Sequence, residues 1–307
     1  MKINFISKIL FLKIIILTGL LTTSCNQKPP ESRNPELTIG VVSYGEGNVS
    51  LEKYDRFKDY LGKQTRSRIE LEPAFNELQA IEQIQRQKWD IVFAPPGLAA
   101  IAISKQMYIP VFSMEGVSST QRSLLVVRDE KPYQKVSDLR NKVVGMAEMG
   151  SAAGYYVPLY DLYGLTLAQI KFASTPKIAL SWLNDSSADA VAIAERDFEV
   201  MKREFSPTKF RVLHTSRWIP SGVVLIGPSI DRTRQTQIQN IMREAPGDVT
   251  ADAGYVPTAK IPKYDQFIQL IDKVRPLEER VKKQPVVLLH QESLNTATPT
   301  PQATNSP

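Results

Sequence analysis

The sequence predicts an α/β protein of two lobes, each a mostly parallel sheet flanked by helices, joined by two crossover strands. Three observations predict this. Short β-branched runs alternate with longer amphipathic runs, the βαβ pattern of a parallel sheet. The pattern fills roughly 250 of the 307 residues, which exceeds one small core. The series completes one set of elements, begins a second and then returns, and two lobes linked twice accommodate that most simply.

The first 24 residues stand apart from the fold. Lys2, Lys8 and Lys13 form a basic leader and residues 14–21 a short apolar run, which reads as a secretory signal peptide rather than a membrane-spanning helix. Cys25, the one cysteine, follows the small residues Thr23 and Ser24, so cleavage by a lipoprotein signal peptidase would leave it N-terminal for acylation. Thr22 stands where such a site usually has leucine, and an ordinary cleaved signal is the other reading. Residues 25–35, polar and proline-bearing, suit a flexible tether between a lipid anchor and a domain. Residues 291–307 hold almost no large apolar side chain and read as a disordered tail.

Between them, "LTIGVVS" (37–43) reads as a strand, and residues 50–65, with Leu51, Tyr54, Phe57 and Leu61 at three- and four-residue spacing, as a helix. Strand "RIELEP", helix "NELQAIEQIQRQ" and strand "WDIVFAPP", stopped by its prolines, follow. A second series opens at "RSLLVVRD" (122–129): strand "KVVGMA", helix "GYYVPLYDLYG", strand "IKFAS", helix "PKIALSWLN", strand "ADAVAI", helix "RDFEVMKREF" and strand "KFRVLHT". "SGVVLIG" (221–227) is again strand-like, and helical patterns occupy 230–244 and 264–282. "RSLLVV" and "SGVVLI" are the crossover strands, giving one lobe of residues 36–121 plus 222–285 and another of residues 122–221. Ligands of such sheets bind at the carboxyl ends of the strands, here in the cleft between the lobes.

Composition excludes several function classes. The leader takes three of the 38 basic residues and none of the 32 acidic ones, leaving 35 against 32 with no basic stripe, so nucleic-acid binding has no electrostatic footprint. With Cys25 the sole cysteine and His214 and His290 the sole histidines, no metal site and no cofactor is expected. Serines, histidines and acids form no nucleophile–base set and no Gly-x-Ser-x-Gly elbow occurs, so no catalysis is expected.

The binding candidates sit in the loops. Gly150-Ser151-Ala152-Ala153-Gly154 stands between a buried strand and a helix start. There, unpaired N–H groups and the macrodipole favour an anion, small side chains let it approach, and Ser151 offers a hydroxyl or a cap. A tight βα connection explains the same residues equally well. Tyr44, in "YGEGN", follows the first strand, where a dinucleotide fingerprint is lacking because Ser50 replaces its third glycine. Pro95, in "APPG", ends another strand and faces the cleft by the same geometry, although the side chains of Pro95 and Pro96 read as structural more than as ligand contacts. Arg122 and Ser123 begin the first crossover strand, where Arg122 is either a bidentate partner for a carboxylate or phosphoryl group or a surface arginine. Asp189 is either an acceptor for a protonated ligand group or a solvated turn acid.

The segment order, together with "DIVFAPPGLAAIA", "RSLLVVRDEKPYQKVSDLRNKVVGMAEMGSAAGYYVP", "ADAVAI" and "HTSRWIPSGVVLI", resembles the phosphonate, phosphite and phosphate substrate-binding proteins of ABC transporters from about Leu37 to Val281. The resemblance implies the type II periplasmic-binding fold, whose lobes close on an oxyanion and deliver it to a membrane permease. In that family the turn after the corresponding strand commonly reads Ser-Thr-Ser-Gly; here Ser151-Ala152-Ala153-Gly154 keeps one hydroxyl. The family's Gly-Ser-His appears as Ser174-Thr175-Pro176, and its aromatic residue before the crossover falls near Gln121 or Arg122. Asp189 matches the acid of the family's Val-Asp-Ala motif, and Tyr44 lies where a tyrosine is often found.

The sequence thus predicts a lipid-anchored, extracytoplasmic, monomeric solute-binding protein that takes a small oxyanion and works with an ABC permease. The alternatives are a periplasmic sensing domain reporting to a membrane receptor, or a binder of another anionic or zwitterionic solute.

Overall fold

The computed structural model describes residues 35–42, 51–115 and 121–289. Cys25, Tyr44, His290, the leader and the tail lie outside the described residues, as does all of the tether but Pro35. Every described strand and helix belongs to one compact unit, Glu36–Pro307.

The first sheet grows from three βα steps. Strand β1 (Glu36–Val42) is followed, past a 3-10 turn at Leu51–Tyr54, by α1 (Asp55–Thr65), which turns Phe57 and Leu61 onto the sheet. Strand β2 (Arg68–Ala74) leads to α2 (Glu77–Gln85), whose N-terminus is capped by Asn76: its side chain accepts from the Gln79 N–H at 2.9 Å. Strand β3 (Ile91–Ala94), buried throughout, runs into α3 (Pro96–Gln106). Here Pro95 and Pro96 do more than stop the strand. Pro95 is extended just before the helix, and Pro96, with fixed φ and no N–H to lose, suits its first turn. Strand β4 is Ile109–Met114.

The second sheet begins with β5 (Gln121–Arg128) and β6 (Val143–Ala147). A π-turn at Ala152–Tyr156 then continues as α4 (Val157–Asp161). Short β7 (Thr166–Leu167), β8 (Gln169–Ala173), α5 (Pro176–Asn184), β9 (Ala190–Ala194), α6 (Glu195–Met201) and β10 (Phe210–Ile219) complete it. The chain then returns as β11 (Val223–Ile226), α7 (Arg232–Arg243), α8 (Gly247–Ala253), β12 (Tyr255–Val256), α9 (Asp265–Val274) and β13 (Val286–Val287). The helix expected over 264–282 is α9 followed by a 3-10 turn at Arg275–Leu277, which contains Pro276.

The sheet orders are β12-β4-β11-β3-β1-β2 and β10-β5-β9-β6-β8, with β13-β7 as a small separate ribbon. In the first sheet β1, β2 and β3 run parallel and β11 runs against β3 and β4. In the second, β6, β8 and β9 run parallel and β5 runs against β9 and β10. Each predicted crossover strand therefore runs against both of its neighbours in the sheet it enters, because it arrives from the other sheet rather than through a helical return. The chain passes between the sheets twice, between β4 and β5 and between β10 and β11.

The sheets share their largest apolar cluster. Leu98, Ala99 and Ala102 of α3 lie in one cluster with Leu125 of β5, Tyr155 and Tyr156 of the π-turn and Leu159 of α4. Helix α9 joins this region: Leu270, Ile271 and Val274 bury in the same cluster, and Asp272 pairs with Lys105 of α3 at 2.9 Å. Separate clusters cover the outer faces, one on β1 and α1 with Phe57 and Phe93, the other on α5 and α6 with Leu180 and Phe198. Among the described residues no helix is long and apolar enough to cross a membrane.

Candidate functional site

Parallel strands end at a common edge, so the carboxyl ends of β1 and β3 in the first sheet, and of β6 and β9 in the second, lie along one edge of each sheet. The Gly150–Gly154 turn leaves β6 at that edge. Ser151 is the N-cap: its Oγ accepts from the Gly154 N–H at 3.1 Å, while its carbonyl accepts from the N–H groups of Tyr155 and Tyr156. The π-turn thus starts with a hydroxyl cap and with first-turn N–H groups directed out of the helix.

The start of α3 meets this turn backbone to backbone. A β-carbon on Gly97 would lie 2.0 Å from the Gly150 carbonyl oxygen and 3.3 Å from the Ala152 nitrogen. Gly150 itself, at φ +107°, would place a β-carbon 2.1 Å from Cβ of Glu77, the first residue of α2. Both positions therefore require glycine, one for close approach and the other also for its backbone angle. Pro95 stands two residues before Gly97, between the end of β3 and the start of α3.

Ser123 is brought to the turn but is 2% exposed, and its hydroxyl donates to the Ala153 carbonyl at 2.6 Å. Arg122 points the other way. Side chains alternate along β5, so Ser123, Leu125 and Val127 face the π-turn and α4, while Arg122, Leu124 and Val126 face α5 and α6. The Arg122 guanidinium makes a bidentate pair with Glu195, 3.2 and 3.0 Å, and lies 4.6 Å over the Trp218 ring. Its charge is directed to that carboxylate on the opposite face of the sheet from the turn.

Asp189 is placed at the other end of the second sheet. Its Oδ2 accepts from the Val143 N–H at 2.9 Å and its Oδ1 from the Tyr133 hydroxyl at 2.6 Å. The turn lies beyond Ala147, and four strand steps put about 13 Å between it and Val143. Asp189 fastens the starts of β6 and β9, and burial followed by this hydrogen bond pushes the Tyr133 phenol up to about 12. Asp189→Ala is expected to cost about 1–3 kcal/mol by leaving both donors unpaired, while ligand affinity stays at the wild-type value. Urea unfolding and calorimetric titration read the two effects separately.

Thr175, in the tripeptide Ser174-Thr175-Pro176, is a helix cap: its Oγ1 accepts from the Ile178 N–H at 3.2 Å. Sequence reasoning missed Gly97 and Glu77, which meet the turn from the first sheet, and Tyr155 and Tyr156, which bury behind it. Both phenols are held well above the ordinary tyrosine range by burial, then by the nearby Glu278 carboxylate, and neither hydroxyl has a hydrogen-bond partner among the described residues. His214 pairs with Asp161 at 3.2 Å; burial raises the Asp161 carboxyl, and the imidazole opposes that shift. Among the described residues no cluster of His, Cys, Asp and Glu could hold a metal ion.

A βα turn over the carboxyl edge of one sheet, touched by a helix start from the same edge of another, is the geometry of a two-sheet solute-binding protein. The family of ABC transporter, phosphonate, periplasmic substrate-binding proteins matches residues 39–266, more than half of the chain. The chain belongs to that family. Among solved structures it is similar to XAC2383 from Xanthomonas citri bound to ATP, at TM-score 0.64 and 18% identity over 79% of this chain and 99% of that one. PhnD1 from Prochlorococcus marinus in complex with methylphosphonate matches at TM-score 0.61 and 13% identity, over 78% and 97%. A binding protein component of an ABC phosphonate transporter from Pseudomonas aeruginosa, PA3383, matches at TM-score 0.54 and 15% identity, over 72% and 80%. No curated protein matches. The fold is the type II periplasmic-binding fold.

Proposed function

We propose that this family member binds a small oxyanion of the phosphonate, phosphite or phosphate kind between its two sheets and presents it to an ABC permease, with no chemistry on the solute. Residues 36–121 with 222–285 and residues 122–221 act as the two lobes. The ligand is held at Ser151, Ala152, Ala153 and Gly154, on the N–H groups of Ala152 and Ala153 and the hydroxyl of Ser151, opposite the start of α3 at Pro95–Gly97. Cleavage before Cys25 and its acylation anchor the protein outside the cytoplasm.

The observation that carries this reading is the contact of Gly97 with Gly150, which sets the two carboxyl edges face to face around a capped helix start. Neutral donors carry the binding, since Arg122 is paired on the far face. The ligand named for the Prochlorococcus protein supports a phosphonate, and that of the Xanthomonas protein supports a larger phosphate ester.

Isothermal titration with methylphosphonate, 2-aminoethylphosphonate, phosphite, phosphate, ATP and small carboxylates tests the reading. Heat is expected with at least one phosphorus oxyanion. Folded protein that gives heat with none of them rules out oxyanion binding.

A further inference from the structure

Buried serines connect the turn to the places where the chain passes between the sheets. The Ser123 hydroxyl donates to the Ala153 carbonyl at 2.6 Å, and the Ser123 N–H donates to Ser216 Oγ at 2.9 Å. Ser216 Oγ in turn donates to the Arg217 carbonyl at 2.7 Å. Ser123 and Ser216 are 2% and 7% exposed, so solvent does not compete for these bonds. Ser216 and Arg217 occupy a register shift in β10, between Thr215, paired with Leu124, and Trp218, paired with Arg122. The irregularity substitutes a side-chain hydroxyl for the backbone acceptor that a regular ladder would offer Ser123. Beyond Ile219 the chain passes to the first sheet, where Ser221 Oγ lies 3.0 Å from Ser113 Oγ and its carbonyl accepts from the Tyr264 hydroxyl at 2.6 Å.

The bond at Ala153 has a specific consequence. The Ala153 carbonyl and the Gly154 N–H belong to one rigid peptide plane and point in opposite directions. Holding the carbonyl fixes the direction of the N–H and with it the 3.1 Å bond to Ser151 Oγ, so Ser123 sets the place of a hydroxyl whose own proton is left to donate to a ligand.

We propose that Ser123 is a positioning residue that, through the Ala153–Gly154 peptide, places the Ser151 hydroxyl and couples the turn, through Ser216, to the second passage between the sheets. The proposal rests on the oxyanion reading of the turn. Trp218, 62% exposed and two residues past Ser216, is a built-in reporter of that strand.

The test combines calorimetric titration with tryptophan emission, using the phosphorus oxyanion that the wild-type protein binds and Trp218→Phe to assign the signal. Binding to wild type is expected to change the Trp218 emission. Ser123→Ala is expected to weaken binding about tenfold, as for one lost hydrogen bond, and to abolish the emission change. Ser123→Thr, which keeps the hydroxyl, restores both. Ser216→Ala leaves affinity within about threefold of wild type, because the Ala153 bond survives, yet loses the emission change. A wild-type complex with silent Trp218, a Ser123→Ala protein that binds and responds as wild type, or a response that survives Ser216→Ala overturns the coupling alone. Absence of binding by the wild-type protein overturns the oxyanion reading, and the coupling with it.

Discussion

Gly150→Ala is expected to weaken ligand binding by about ten- to a hundredfold or more while leaving both sheets folded, because the change costs at least 1–3 kcal/mol in the closed arrangement, at ~1.4 kcal/mol per factor of ten. Two terms contribute. The residue sits at φ +107°, where a side chain is strained, and its β-carbon would lie 2.1 Å from Glu77 Cβ and 3.0 Å from Cγ. The turn must then back away from α2 or change its backbone, and either movement separates the two carboxyl edges. Gly97→Ala separates these terms. It has no positive φ, so it acts only through the 2.0 Å clash of its β-carbon with the Gly150 carbonyl oxygen. If approach of the edges makes the site, both variants bind weakly and both show a larger radius of gyration in small-angle scattering with ligand present. Wild-type affinity in both would place the ligand away from this contact.

Trp89→Ala is expected to have the largest effect on stability, about 3–5 kcal/mol, a substantial fraction of the 5–15 kcal/mol that holds a typical domain. Trp89 is fully buried, and β1 lies so close beneath it that a β-carbon on Gly40 would be 2.0 Å from the indole. The ring also donates through Nε1 to Glu72 at 3.0 Å, and its backbone carbonyl accepts from the Tyr108 hydroxyl at 2.9 Å. Removing it empties the volume between β1 and α2 and strands the Glu72 carboxylate. Trp89→Phe should fall between wild type and Trp89→Ala in urea unfolding, since it refills part of the space without the N–H. A loss below about 1 kcal/mol in Trp89→Ala would mean that the site collapses far more readily than its packing indicates.

The fold was legible wherever periodicity was strong. Residues 176–184 and 77–85 alternate on helical spacing and form helices, and the two β-branched runs at 121–128 and 223–226 form strands that run against their neighbours. Helix α3 was not legible, because Pro96–Ala102 is buried on every side and a helix with no polar face carries no 3.6-residue signal. Strand β4, bearing Pro110, gave little strand signal for a related reason: it runs near the edge of its sheet beside two-residue β12, where a proline is tolerated.

The site was legible only in part. Composition marked Gly150–Gly154 as a helix start after a strand, and the structure has one there. It could not say which face of β5 looks toward that start, so Arg122 and Ser123 read as equivalent although alternation sends one to Glu195 and the other to Ala153. Nor could it say at which edge of the sheet, relative to the turn, Asp189 stands, because that depends on the direction of β9 relative to β6. Gly97 was invisible as a site residue, since its partner, Gly150, is 53 residues away in sequence.

The most direct measurement of the central claim is a map of backbone amide shifts in isotope-labelled protein as the bound oxyanion is titrated in. The account predicts that the largest shifts fall on Ser151, Ala152, Ala153 and Gly154, with a second group at Gly97 across the contact. Saturable binding that leaves those amides unmoved would contradict it.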